Sequence, residues 1–214
     1  MNILIILIIL GGGGAATYYY NQSVNYVKTD NAHVDGRLVT ISATAAGRLT
    51  DWTGQVGKAY ASGDRVGSIA TAAAAGGAAG TAAGRVDIDF PVGATIVQQN
   101  VVPNGYVSPG AVLARAYDLN NLWITANIDE NVINNVKSGQ AVDVYVDAYP
   151  GTVLSGHVDK LGLTTAGTFS LLPASNTTAN YTKVSQVIPV TILLDGYKGL
   201  TLAPGMSTTV RIHI

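Results

Sequence analysis

The chain has 214 residues, of which 48% are apolar and only 12% charged, about half the usual charged share. That balance excludes a coiled coil or a disordered polyelectrolyte, and a net charge of −1 supplies no field to draw nucleic acid or anionic lipid. No cysteine is present, so disulfides, thiolate metal sites, thiol catalysis and a lipidated N-terminal cysteine are excluded. What remains is rich in Gly (25 residues), Val and Thr, the composition of an all-β protein with many turns.

The first element is apolar. Ile3 to Leu10 are all Ile or Leu, and Gly11–Gly14, Ala15 and Ala16 continue the run to Tyr18-Tyr19-Tyr20. Residues 1–20 match the ~20 residues a helix needs to span a bilayer. Tyrosines at one end suit the headgroup boundary. Ile3, Leu4, Leu10, Tyr18 and Tyr20 are therefore expected to form a single-pass membrane anchor in contact with lipid. The alternative is a secretory signal with an eight-residue apolar centre and Ala15-Ala16-Thr17 as cleavage site. Either reading places the bulk of the chain outside the cytoplasm.

A repeat follows. At an offset of 47 residues, Val39, Ile41 and Ala43 align with Val86, Ile88 and Phe90, Leu49 with Ile96, Gly63 with Gly110, and Val66 with Leu113. Each copy reads as an alternating strand, a bend at Gly47 or Ala94, a second strand, a glycine turn and a closing apolar pair. Neither copy can bury its own face, so the two are expected to pack together as a small sandwich. Halves 39–70 and 86–117 are joined by an uncharged Ala/Gly segment, 71–85, that reads as a flexible connector.

Beyond Asp118 the pattern predicts a second domain, 118–214. Leu122–Ile128 is a strand, and Asp129 caps a short helix with Val132, Ile133 and Val136 at helical spacing. Strands follow at 141–146, 152–161, 184–194 and 206–214, with turns at Lys137–Gln140, Pro150-Gly151 and Pro204-Gly205. The isolated strand near Asn31 to Leu38, within a 21–38 segment, is expected to complete this β-barrel.

Val27–Gly36, Asn121–Asn127, Phe169–Tyr181 and Pro204–Ser207 occur in an order that resembles membrane fusion proteins, the periplasmic adaptors of HlyD/EmrA type. Val27-Lys28-Thr29-Asp30-Asn31-Ala32-His33-Val34-Asp35-Gly36 is similar to that family's opening strand. Gly47-x-Leu49, Gly63-Asp64-x-Val66, Asn121–Asn127, Asp129-Glu130 and Gly139–Val142 are similar to later parts of it. Phe169 to Tyr181, continuing through Lys183 and Gln186–Val190, resembles the EmrA branch, and Pro204–Ser207 its closing turn.

The resemblance implies a biotinyl/lipoyl-like barrel-sandwich domain followed by a β-barrel. It further implies a non-catalytic adaptor of a multidrug or secretion efflux pump in the cytoplasmic membrane. The implied partner is an integral-membrane transporter of major-facilitator type, or of ABC type, with copies of the chain associating as a homo-oligomer. The family's long helical hairpin between lipoyl halves is replaced here by the Ala/Gly joint, whose arms could rise only about 10 Å as helix. A cell-surface assembly or adhesion module with the same fold is the alternative.

Chemistry-bearing residues are sparse. Lipoyl and biotinyl carriers hold their cofactor on a lysine between the halves. The lysines here are Lys28, Lys58, Lys137, Lys160, Lys183 and Lys198, so no cofactor is expected. His33, His157 and His213 have no close-spaced partner for metal binding. Asp64 and Asp118 fit turns, and the serines sit in no nucleophile elbow. Trp52 and Trp123 fit packing. The segment 164–182 is long and nearly uncharged yet carries Phe169, Leu171 and Leu172, followed by Tyr181. Loops of that length tend to be functional, and these four residues are the expected partner contact, with plugging of one barrel end as the alternative.

Overall fold

The computed structural model describes residues 11–14, 25–71, 84–165 and 186–214. The anchor residues Ile3, Leu4, Leu10, Tyr18 and Tyr20 lie outside the described residues, as does the joint 72–83. Among the described residues, no helix is long and apolar enough to cross a membrane.

The described chain is all-β: β1 (Tyr26–Ser42), β2 (Gly47–Thr50), β3 (Ala59–Tyr60), β4 (Arg65–Ala70), β5 (Arg85–Asp89), β6 (Ala94–Gln99), β7 (Tyr106–Val107), β8 (Val112–Asp129), β9 (Ala141–Val146), β10 (Val153–Leu161), β11 (Val187–Leu194) and β12 (Ser207–His213). It divides into two compact units, Gly36–Leu122, and the chain up to Asp35 together with Trp123–Ile214.

The second of these is a closed barrel of six strands in the order β1-β12-β9-β10-β11-β8, with β1 pairing β8. Alternation explains the closure, because every second side chain of a strand faces inward. Val142, Val144 and Val146 of β9, Leu154 and Val158 of β10, Val190 and Ile192 of β11, Val210 and Ile212 of β12, and Ile124, Ala126 and Ile128 of β8 are all buried. β1 needs a correction of phase. Val27 faces in, then a bulge between Thr29 and Ala32 adds one residue against β12, so Ala32 and Val34 face in next. A second break at Arg37 and Leu38, consecutive and both exposed, returns the inward positions to Val39 and Ile41.

Unit 36–122 contains a four-stranded sheet, β5-β4-β2-β7, and the pairings β3–β6 and β6–β8. Its halves repeat at the level of single hydrogen bonds. Gly63 N donates to Phe90 O at 2.8 Å, and 47 residues on, Gly110 N donates to Ala43 O at 2.8 Å. Phe90 N to Asp64 O (2.9 Å) is matched by Ala43 N to Ala111 O (2.9 Å), and Thr53 N to Val66 O (2.8 Å) by Asn100 N to Leu113 O (2.8 Å). The strand pair Gly47↔Val107 is matched by Ala94↔Tyr60. Gly63 and Gly110 take φ of +86° and +82°, a region where a side chain is costly. Trp52 and Gln99, also 47 apart, meet each other, with Nε1 donating to Oε1 at 3.4 Å. Equivalent positions in contact mark the local two-fold axis.

One core closes this unit, formed by Val39, Ile41, Leu49, Val66, Ile69, Ile88, Phe90, Ile96 and Leu113 among others, with Trp52 packed against it. Gly47 is required by packing, since an added Cβ would run into the carbonyl of Ala70.

Two local expectations are corrected. The segment after Asp129 is a single 3-10 turn, Ile133–Asn135, whose N-terminal residue is Val132, with no side-chain cap. Asp129 contributes its backbone carbonyl to Val132 N instead. Asn134 and Asn135 are weak helix formers, and the apolar spacing reflects Val136 alone reaching the core. Likewise the strand expected to begin at Leu122 is continuous from Val112.

Candidate functional site

The expected partner-contact residues Phe169, Leu171, Leu172 and Tyr181 lie outside the described residues. What is described is their frame. The segment joins β10 to β11, which pair from Gly156↔Leu194 to Leu161↔Val190. Gly162 N donates to Pro189 O at 2.7 Å, and Glu130 N donates to Gln186 O at 3.0 Å. Leu163, the last large apolar residue before the segment, is fully exposed. The β10–β11 ladder is thus paired up to the residues that flank the connection, Leu161 and Val190.

Beside this, the β1–β8 seam carries a polar network built from residues that the sequence marks. The β1 bulge exposes Asp30 and Asn31. Thr29 Oγ1 donates to Asn127 O at 3.0 Å, Asn31 N donates to Thr29 Oγ1 at 3.1 Å, and Asn127 Nδ2 donates to Asn31 Oδ1 at 3.1 Å. Farther along the seam, Thr125 Oγ1 donates to Asp35 at 3.3 Å. All but the local Asn31–Thr29 bond cross 90 residues or more of sequence, so Thr29, Asn31 and Asn127 are legible as seam residues once the strands are paired.

A second cluster was not apparent from sequence. On the outer face of the barrel, Arg211 donates from Nε (3.2 Å) and one terminal nitrogen (2.8 Å) to the same Asp143 oxygen, and His213 Nε2 lies 3.0 Å from it. Tyr26 closes the group: the Arg211 guanidinium carbon is 4.6 Å from its ring centre, and His213 meets the ring edge-on at 4.8 Å. Partial burial of Asp143 opposes its ionisation, but the hydrogen bonds and charges of Arg211 and His213 outweigh it and hold the carboxyl below its ordinary 3.8. The signal in the sequence is faint, an alternation of Thr209, Arg211 and His213 opposite Asp143, and it becomes visible only with the β9–β12 register Arg211↔Asp143.

His157 pairs instead with Asp195 at 3.0 Å. Among the described residues, no group of three or more His, Cys, Asp or Glu is placed to hold a metal ion. Asp64 accepts from Ala61 N at 2.7 Å, and Asp118 accepts from Asn120 N at 3.1 Å, both serving turns. Trp123 is half-buried on the outer face of β8, between the inward Leu122 and Ile124.

Comparison with known proteins gives these features a context. Residues 121–213 match the family model described as the CusB-like beta-barrel domain. The chain is 39% identical over 191 residues to YhbJ of Bacillus subtilis (strain 168), a protein assigned by name to an efflux system, covering 89% of this chain and 81% of that one. It is 37% identical over 133 residues to the multidrug export protein EmrA of Escherichia coli (strain K12), covering 60% of this chain and 34% of EmrA. The chain thus spans about a third of EmrA's length. Among solved structures, MacA of Actinobacillus actinomycetemcomitans superposes with a TM-score of 0.65 at 14% identity, over 89% of this chain and 80% of that one, a likeness of fold. With YhbJ matched along most of both sequences, the chain belongs to the membrane fusion proteins of HlyD/EmrA type.

Proposed function

We propose that the chain is the adaptor subunit of an efflux pump, anchored in the cytoplasmic membrane by residues 1–20, with both β units on the extracytoplasmic side. The observation that carries this reading is the match to YhbJ, which runs through 191 residues and so takes in both units rather than one borrowed module. In this reading unit 36–122 is a biotinyl/lipoyl-like module used as a rigid packing piece. Its doubled hydrogen-bond pattern supports that assignment. Residues 71–85 hold no lysine on which a carrier cofactor could be mounted.

The mechanism is scaffolding without catalysis. The anchor holds the subunit beside an integral-membrane transporter, of major-facilitator or ABC type, and copies of the chain assemble around the exit. The segment bearing Phe169, Leu171, Leu172 and Tyr181 makes the contact, because its sequence sets four large apolar or aromatic residues in a long, nearly uncharged stretch between two paired strands. No envelope-spanning tunnel is part of this proposal, since the joint between the halves is too short to build one.

The test is retention of compounds in cells lacking the chain, measured with a panel of amphiphilic dyes and antibiotics. Raised retention, reversed by the full chain and not by a chain lacking residues 1–20 or Phe169–Leu172, is the expected result. Full reversal by the chain lacking residues 1–20 would remove the anchor from the proposal, and full reversal by the chain lacking Phe169–Leu172 would remove the loop contact. Unchanged retention across the panel would count against export itself.

A further inference from the structure

Unit 36–122 contains a cavity of about 360 Å³ assembled from four stretches of chain: Arg37 of β1, Ala59 and Tyr60 of β3, Val92–Thr95 leading into β6, and Asp118–Asn121 in β8. That volume falls within the range of small-molecule sites, about 300–1,000 Å³. Its lining combines a fixed aromatic ring, Tyr60, with one guanidinium, Arg37, and one carboxylate, Asp118.

The wall is Tyr60. Its ring is buried and stacked on Phe90 at 4.8 Å with the planes 10° apart, and the Lys58 ammonium lies over the ring 5.2 Å from its centre. Its hydroxyl is committed, donating to Thr53 O at 3.0 Å and accepting from Gln55 N at 3.1 Å. Val92 and Leu119 extend the apolar side, both partly exposed.

The cation in the lining is Arg37. Among the described residues no ion pair or side-chain hydrogen bond engages its guanidinium. The one carboxylate in the lining is already used within β8. Asp118 Oδ1 accepts from Asn120 N at 3.1 Å, and Oδ2 accepts from Asn121 Nδ2 at 2.7 Å. Among the described residues, Arg37 therefore reaches the cavity with five donors and no hydrogen-bond partner. Elsewhere in this unit Arg65 pairs with Asp87 and Arg85 with Asp51, while Arg48 lies over the Tyr106 ring.

We propose that this cavity binds a small organic anion, with a carboxylate or sulfonate held by the planar fork of Arg37 and an apolar body laid against Tyr60, Val92 and Leu119. A guanidinium matches a planar two-oxygen acceptor better than an ammonium does. The proposal concerns this chain's own surface and holds whether or not the chain serves an exporter.

The probe is naphthalene-2-carboxylate, with naphthalene-2-carboxamide as its uncharged counterpart. Binding to the full chain is measured by equilibrium dialysis with the same detergent on both sides. The expected result is saturable binding of the carboxylate, weakened about tenfold by Arg37→Gln and less by Arg37→Lys, which keeps the charge and loses the fork. Leu119→Gln weakens it about threefold through the apolar wall. Arg37 is exposed, so both substitutions there leave the thermal midpoint unchanged, which separates loss of the site from loss of the fold. Equal binding of the carboxamide, full binding by Arg37→Gln, or no saturable binding at millimolar probe would overturn the proposal. So would Arg37-dependent capture by phosphatidylglycerol vesicles that the free carboxylate does not displace, because the anion would then be a lipid headgroup.

Discussion

The two units of this protein reach a closed β core by different routes. Unit 36–122 is made twice from one pattern, so each structural device appears in a pair: Gly63 with Gly110, Ala43 with Phe90, Trp52 against Gln99. The barrel is made once, from segments far apart in the chain, and its ends are joined by β1 meeting β12 from Tyr26↔His213 to His33↔Ser207. Repetition makes the first unit its own control, since two copies with the same backbone bonds differ only in what their side chains add. The barrel has no internal control, and its individuality sits in side chains that cross long stretches of sequence.

The largest expected effect exploits the point where the copies diverge. Phe90 is buried and stacked on Tyr60, whereas the equivalent positions in the other copy hold Ala43 and Val107. Phe90→Ala should destabilise unit 36–122 by about 3–5 kcal/mol, against about 1 kcal/mol for Ala43→Gly, as read by denaturant unfolding of the full chain. A cost below about 1 kcal/mol for Phe90→Ala would mean that the aromatic pair does not carry that end of the core.

Next come the paired turns. An added Cβ meets nothing within 4 Å at Gly63 or Gly110, so alanine there pays only for the positive φ, about 1 kcal/mol at each site. The two variants should match within a few tenths of a kcal/mol. A difference above about 1 kcal/mol would show that the copies are not equivalent where their backbones are.

The smallest effect belongs to the barrel and depends on pH. The Asp143 carboxyl is held below its ordinary 3.8 by Arg211 and His213, against the burial that opposes its charge. Stabilisation from its ionised form is therefore present above about pH 4 and lost as pH falls through the lower folded value. Asp143→Asn should cost about 1 kcal/mol at neutral pH, and the gap from wild type should close in acid. A gap that stays constant with pH would assign the loss to packing rather than charge.

How much of this could be read from the sequence follows from the range of each feature. The doubling is legible because strict alternation and glycine turns recur at a constant offset, and both are local signals. The tie of the first strand to the barrel is legible for the same reason, as an apolar strand with no partner nearby. The phase changes in β1, at the bulge and again at Arg37 and Leu38, are less so, because they depend on what the strand pairs with. Asp143, Arg211 and His213 converge through a strand register, and the Arg37 cavity through four separate segments, so neither leaves a motif. The turn at Ile133–Asn135 shows the converse failure: Val132, Ile133 and Val136 have helical spacing, but Val136 alone is buried and Asn134 and Asn135 are weak helix formers, so a single 3-10 turn forms.

The decisive measurement of the adaptor role is capture of the full chain from its native membrane in mild detergent, with the mass of what accompanies it determined. An integral-membrane transporter with many spanning helices, recovered in fixed stoichiometry with the chain, is the result expected. Recovery of the chain alone, or in the soluble fraction with no transporter bound, would contradict a role as pump adaptor.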